Sequence, residues 1–185
     1  MWFDPVALGL AALLAATPAF ADQSRYHLGR TPTQPEIDAW NIDVRADGQG
    51  LPTGHGSVAE GRAIFAETCA ACHGDKGTGG LADQLSGGFG TLTQRNPVRT
   101  VGSYWPYATT LFDFIRRAMP FNAPESLDDD QVYAVSAYVL SLNGIVSDDT
   151  VLNAANLPKI AMPNRNGFIT EDPRPDVPAA AHGSR

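Results

Sequence analysis

The 185-residue chain is short of the residues that most often build a functional site. It has two cysteines, four histidines and three methionines. Two cysteines allow one bridge at most. Basic residues are also outnumbered: thirteen Lys and Arg stand against twenty Asp and Glu, a formal net charge of −7. With no basic stripe to meet phosphates, a nucleic-acid role is excluded. The acidic balance serves solubility and can steer a basic partner. No G-x-G-x-x-G run and no P-loop lysine pattern occurs, so the glycines do not cradle a phosphate. No βαβ pattern is visible. What is plentiful is Gly and Pro, 18 and 14 residues, which assigns much of the chain to loops.

Long hydrophobic runs are missing too, with one exception near the start. Val6–Ala16 is apolar, and Ala19-Phe20-Ala21 is an A-x-A-like cleavage site before Asp22. This reads as a secretory signal over residues 1–21, although its first residues carry Asp4 rather than Lys or Arg. The run is too short to span a bilayer comfortably. The mature form is expected outside the cytoplasm and is not expected to cross a membrane.

An even cysteine count in a secreted chain ordinarily reads as a disulfide. The order Cys69-Ala70-Ala71-Cys72-His73 changes that reading. It is C-x-x-C-H, the attachment motif of c-type haem. Two thiols two residues apart at a helix end reach both vinyl groups of one porphyrin, and the adjacent imidazole meets the iron. A redox C-x-x-C pair would need a βαβ setting. A zinc site would need partners that His27, His55 and His182 do not offer at suitable spacing.

The flanks agree with a helix that delivers Cys69. Ser57-Val58-Ala59-Glu60 is a capping box, and Val58, Gly61, Phe65 and Thr68 share one helical face. For the sixth ligand, Met119 is preferred. It follows His73 by 46 residues, in Arg117-Ala118-Met119-Pro120, after a helix striped by Leu111, Phe114, Ile115 and Ala118. Pro120 ends that helix and sets an extended chain before it. Met162 and His55 are the other candidates; either methionine is otherwise a core filler. His73 and Met119 together would raise the reduction potential and fill both axial sites, which favours electron transfer over catalysis. A third helix is capped around Ser126-Leu127-Asp128-Asp129, with Asp128, Asp129 and Asp130 complementing its dipole or forming a docking patch. Its stripe is Val132, Val135, Val139 and Leu142, and Gly144 ends it.

Three helices, C-x-x-C-H after the first and Met-Pro before the last resemble the small class I cytochrome c fold, over about residues 57–144. The resemblance implies Cys69 and Cys72 as thioether attachments, His73 as proximal and Met119 as distal iron ligand, and a contact of Gly61 with Tyr138 between the first and last helices. A narrower resemblance rests on Gly50-Leu51-Pro52 with Gly54-His55-Gly56, the runs TVGSYWPYATTLFDFIRRAMPFNAPESL and DDDQVYAVSAYVLSLNGIV, and Met162-Pro163-Asn164-Arg165 with Gly167-Phe168. Together these resemble the cytochrome subunit of periplasmic sulfur and sulfite dehydrogenases. That resemblance implies a molybdenum-cofactor partner subunit of the sulfite oxidase type and a downstream c-type cytochrome. Some members carry a second haem domain; this chain has one motif and a linker-like Pro/Ala-rich stretch over residues 172–181.

The expected organisation is therefore all-α: a signal at 1–21, an irregular N-terminal arm at 22–56, a cytochrome c domain at 57–144 and an irregular C-terminal arm and tail at 145–185. Tyr26, Ile37, Trp40, Ile42 and Leu51 lie in the first arm, and Val151, Leu157, Ile160 and Phe168 in the second. Such apolar residues suit arms that wrap a second protein or fold back over their own domain. Arg99 and Trp105 are candidate donors to the haem propionates, with Tyr104 behind them; the same aromatic rings also suit a pocket wall. Two rival functions remain: a free diffusing carrier, and a haem enzyme or gas sensor in which Met119 is not a ligand.

Overall fold

The computed structural model describes residues 29–168. The expected signal at 1–21 and the Pro/Ala-rich stretch at 172–181 lie outside the described residues. The chain divides into two compact units, 1–41 and 42–185.

In the first unit, Gln34–Trp40 forms a short helix, α1. Its cause is local. Thr33 is the N-cap of a reciprocal capping box with Glu36, and Pro35 sits in the first turn. Arg30 pairs with Glu36 as well, and this contact leads in pulling the Glu36 carboxyl down to about 2. The arm is thus not irregular throughout.

The second unit runs β1 (His55–Ser57), α2 (Val58–Thr68), α3 (Ala70–His73), α4 (Ala108–Ala118), α5 (Asp129–Leu142), β2 (Val151–Asn153) and a 3-10 turn at Leu157–Lys159. The sheet is one short antiparallel pair, with Gly56 opposite Leu152. A long loop over residues 74–107 joins α3 to α4. No βαβ unit exists among the described residues, so the setting for a thioredoxin-like pair is absent.

Packing follows the apolar pattern, with corrections. Ser57 caps α2 and accepts from the Glu60 N–H. Val58, Gly61 and Phe65 are buried, but Thr68 is exposed and donates to the Ile64 carbonyl instead. On α4 the buried residues include Leu111, Phe112 and Ile115, while Phe114 is 46% exposed. Leu111 and Ile115 are thus buried as expected, but the covered face extends to Ala108 and Phe112 rather than to Phe114 and Ala118. The N-cap of α5 is Asp128, in a capping box with Gln131; Ser126 lies outside it. Every residue from Val132 to Leu140 is buried. A single stripe underestimates this helix because α2, α4, β1 and β2 all pack on it.

Gly61 makes the α2–α5 crossing possible. A Cβ there would lie 1.8 Å from the Ala134 carbonyl oxygen and 3.0 Å from the Tyr138 Cβ. Next to it, Phe65 meets Tyr138 edge to face at 5.2 Å. The C-terminal arm folds back on its own domain: Leu152, Leu157 and Met162 belong to the core. No described helix is long and apolar enough to cross a membrane.

Candidate functional site

The site begins where α2 ends. The Cys69 N–H donates to the Phe65 carbonyl, and the His73 N–H donates to the Cys69 carbonyl, both at 2.9 Å. The chain therefore continues from α2 into the single turn of α3, with Cys69, Cys72 and His73 within five residues of each other. Gly74 closes that turn in the left-handed region, at φ +80°. The two cysteines are not bridged to each other; Cys69 is half-buried and Cys72 exposed. Burial pushes the Cys69 thiol above its ordinary value, and the neighbouring Cys72 adds to this against a contact with Thr68.

His73 is oriented by the chain itself. Its Nδ1 lies 2.7 Å from the Asp83 carbonyl oxygen. A carbonyl only accepts, so Nδ1 carries the proton and donates, leaving Nε2 with a free lone pair. This is the arrangement that fixes the tautomer of a metal-bound imidazole. The loop that supplies the carbonyl is itself pinned. The Ala82 N–H donates to the Cys72 carbonyl at 2.8 Å. Asn143, buried at the end of α5, donates to the Leu85 and Val139 carbonyls and accepts from the Gly87 N–H. Sequence reasoning missed both Asp83 and Asn143. Asp83 acts through its backbone, which leaves no side-chain signal.

Met119 is the C-cap of α4, in extended conformation, with its N–H on the Ile115 carbonyl at 3.0 Å. Its peptide bond to Pro120 is cis. It is half-buried and packs against the same core as Cys69, Ile64, Leu85 and Trp105. Met162 is 3% exposed inside that core. His55 lies at the surface in β1, with Nδ1 4.0 Å from the Asp130 carboxylate. The acidic run thus caps α5 through Asp128, while Asp130 also accepts from the His55 backbone N–H at 2.7 Å.

Arg99 and Trp105 have different aromatic neighbours. Arg99 is exposed, its guanidinium 5.5 Å from the Tyr104 ring centroid. These two line an open cavity of about 400 Å³ with Leu92, Pro97, Asn164, Gly167 and Phe168. Asn164 donates to the Tyr104 carbonyl at 2.7 Å, and Phe168 meets the Tyr104 ring at 5.2 Å, so the C-terminal arm builds one wall. Trp105 instead meets Phe114 edge to face at 5.7 Å.

Among the described residues no group of three or more His, Cys, Asp or Glu side chains could hold a metal ion. A protein-only zinc site is therefore not built there. The donor set fits a metal that brings its own equatorial ligands: two unpaired thiols for covalent attachment, one imidazole with Nε2 free, and a half-buried thioether at the end of α4.

The family described as Cytochrome c matches residues 58–143. Among solved structures, a chain of the sulfane dehydrogenase SoxCD from Paracoccus pantotrophus is similar at 45% identity and a TM-score of 0.74. That match covers 80% of this chain and 73% of the other. A thiosulfate dehydrogenase from Stutzerimonas stutzeri (strain A1501) is 36% identical over 93 residues, 49% of this chain. A Cbb3-type cytochrome c oxidase subunit CcoP from Azospirillum sp. (strain B510) is 33% identical over 96 residues, 48% of this chain. The matches span 29% and 30% of the length of those two curated relatives.

Proposed function

Because this chain belongs to the cytochrome c family, with haem c as its covalently attached cofactor, we propose that it is the electron-accepting subunit of a dehydrogenase for sulfane sulfur or sulfite. Its partner in this reading is a molybdenum-cofactor subunit, and it passes electrons on to another c-type cytochrome. The place of action is the periplasm, in keeping with the signal-like start of the sequence.

In this reading Cys69 and Cys72 form the two thioether bonds. His73 offers Nε2 as the proximal ligand, and the Asp83 carbonyl holds the ring and raises its basicity. Met119 offers its thioether as the distal ligand. Arg99 and Trp105 donate to the propionates. Haem c supplies one-electron iron chemistry at a potential that His/Met ligation raises. Held by His73 and Met119, the haem would offer no open site to oxygen or peroxide, so the chain would transfer electrons and leave catalysis to its partner. A two-electron oxidation by that partner loads and discharges this subunit twice per turnover.

The observation that carries the partner is the extent of the likeness to the SoxCD chain. It covers 80% of this chain, well beyond the cytochrome c segment at 58–143. A generic cytochrome c likeness would stop near that segment.

The test is the molybdenum and iron content of the tagged protein purified from its native source at moderate salt. Near-equal molybdenum and iron in one gel-filtration peak is expected. Iron alone at monomer size overturns the partner and leaves a free diffusing carrier. Carbon monoxide binding by the reduced protein separates these readings from a haem enzyme or gas sensor. A six-coordinate, unreactive spectrum is expected.

A further inference from the structure

Residues 42–46 run along α4 in a regular way. The Ile42 carbonyl accepts from Arg116 at 3.4 Å, the Val44 N–H donates to the Asp113 carboxylate at 3.0 Å, and the Ala46 carbonyl accepts from Thr109 at 3.4 Å. The chain partners are alternate residues, so one edge of the segment faces the helix. The helix partners recur at three and four residues, so they form one face of α4. The order is antiparallel, with residue 42 beside the last turn. Arg117 then joins Asp113 to Asp43, donating to both carboxylates, the second at 2.9 Å.

At the centre is Asp113, 9% exposed and the one ionisable side chain among the buried residues of α4. A buried carboxylate is costly unless its acceptor capacity is met. Here a backbone N–H and a guanidinium meet it. Its partner Arg117 lies two residues before Met119, and the last turn of α4 hands its final backbone N–H bond to Met119 itself.

We propose that Asp113 is a positioning residue for Met119. Through Arg117 and the 42–46 segment it locks the last turn of α4, and so holds the Met119 thioether against the iron of the oxidised protein. The proposal rests on Met119 being the distal ligand, as argued above.

The test uses the full-length holoprotein and reads the weak ferric absorption band of methionine sulfur on haem iron, together with the reduction potential. Asp113→Asn keeps an acceptor for the Val44 N–H but removes the charge that holds Arg117. At neutral pH it is expected to raise the sulfur-detached ferric fraction by about tenfold, the scale of one lost charged hydrogen bond, with a matching shift in potential. Arg117→Lys, which keeps the charge, is expected to show a smaller loss. Asp43→Asn, at an exposed residue, is the fallback if Asp113→Asn does not accumulate, with a change in the same direction. Ser57→Ala, which weakens the cap of α2, is expected to lower stability without moving the band.

An unchanged band and potential in Asp113→Asn, or in the fallback Asp43→Asn, beside a clear loss in Met119→Ala, overturns the positioning role alone. Equal losses of the band in Ser57→Ala and Asp113→Asn also overturn it, since the effect would then be general destabilisation. An unchanged Met119→Ala overturns the ligand assignment and the positioning role with it.

Discussion

Replacing Gly61 with alanine puts a methyl group where two helices meet backbone to backbone. The new Cβ would lie 1.8 Å from the Ala134 carbonyl oxygen and 2.4 Å from its carbon. Neither is the end of a flexible side chain, so α2 and α5 must separate, by about 1.5 Å to regain ordinary contact. Separation loosens the Phe65–Tyr138 contact and the Arg62 guanidinium 5.5 Å from the Tyr138 centroid. Overpacking of this kind costs about 3 kcal/mol at the upper end of its usual range. The helix propensity of alanine over glycine offsets about 1 kcal/mol of that. The net loss is about 2 kcal/mol, which lowers Tm by about 10 °C in a domain of this size. Thermal unfolding of the holoprotein, followed by circular dichroism, measures it. A Gly61→Ala protein as stable as the parent would refute the close-packed crossing, because propensity alone predicts a small gain.

Three further outcomes are expected. Met162→Ala removes a side chain from the core and should cost about 2–5 kcal/mol in chemical denaturation, leaving the haem spectrum unchanged, whereas Met119→Ala should lower the potential and open the iron to carbon monoxide. Tyr133 donates to the Pro52 carbonyl at 2.8 Å, and burial, with Asp129 second, pushes its hydroxyl up to about 12 from 10.0. The unfolded chain then loses this proton first, so the contribution is complete below about pH 10 and declines as pH rises toward 12; Tyr133→Phe should lose about 1 kcal/mol at neutral pH and show a shallower decline above pH 10 in denaturant titrations. Asp128→Ala removes the N-cap of α5 and should cost about 1 kcal/mol, read as a lower denaturation midpoint with an unchanged slope.

Much of the fold was legible because its signals are local. The Ser57–Glu60 box, the valine spacing of α5 and the proline after Met119 all act within a few residues, and each lies where the sequence places it. The Thr33–Glu36 box was equally local, yet the Pro- and Gly-rich surroundings masked a helix of only two turns. Spacing alone puts Phe114 and Thr68 on the apolar faces of their helices, and spacing does not say how wide the covered face is. The choice of Asp128 over Ser126 as cap turned on two residues of register, about half a helical turn.

Sequence by itself determined the chemistry that needs only covalent neighbours: two thiols and an imidazole in C-x-x-C-H, and through them the haem c class. Tertiary structure alone decided what depends on distant segments meeting. It buried Met162 by folding the C-terminal arm back over the core, which two Met-Pro pairs in a sequence do not distinguish. It set the His73 ring with a carbonyl at Asp83, a group every residue carries and none advertises. It also laid residues 42–46 along Thr109, Asp113 and Arg116, converting an acidic residue on an apolar helix face into a held ion pair. The physical reason is the same in each case. Bonds along the chain are written in the order of residues, whereas the cost of burying a sulfur, an imidazole or a carboxylate is settled by whatever the fold brings beside it.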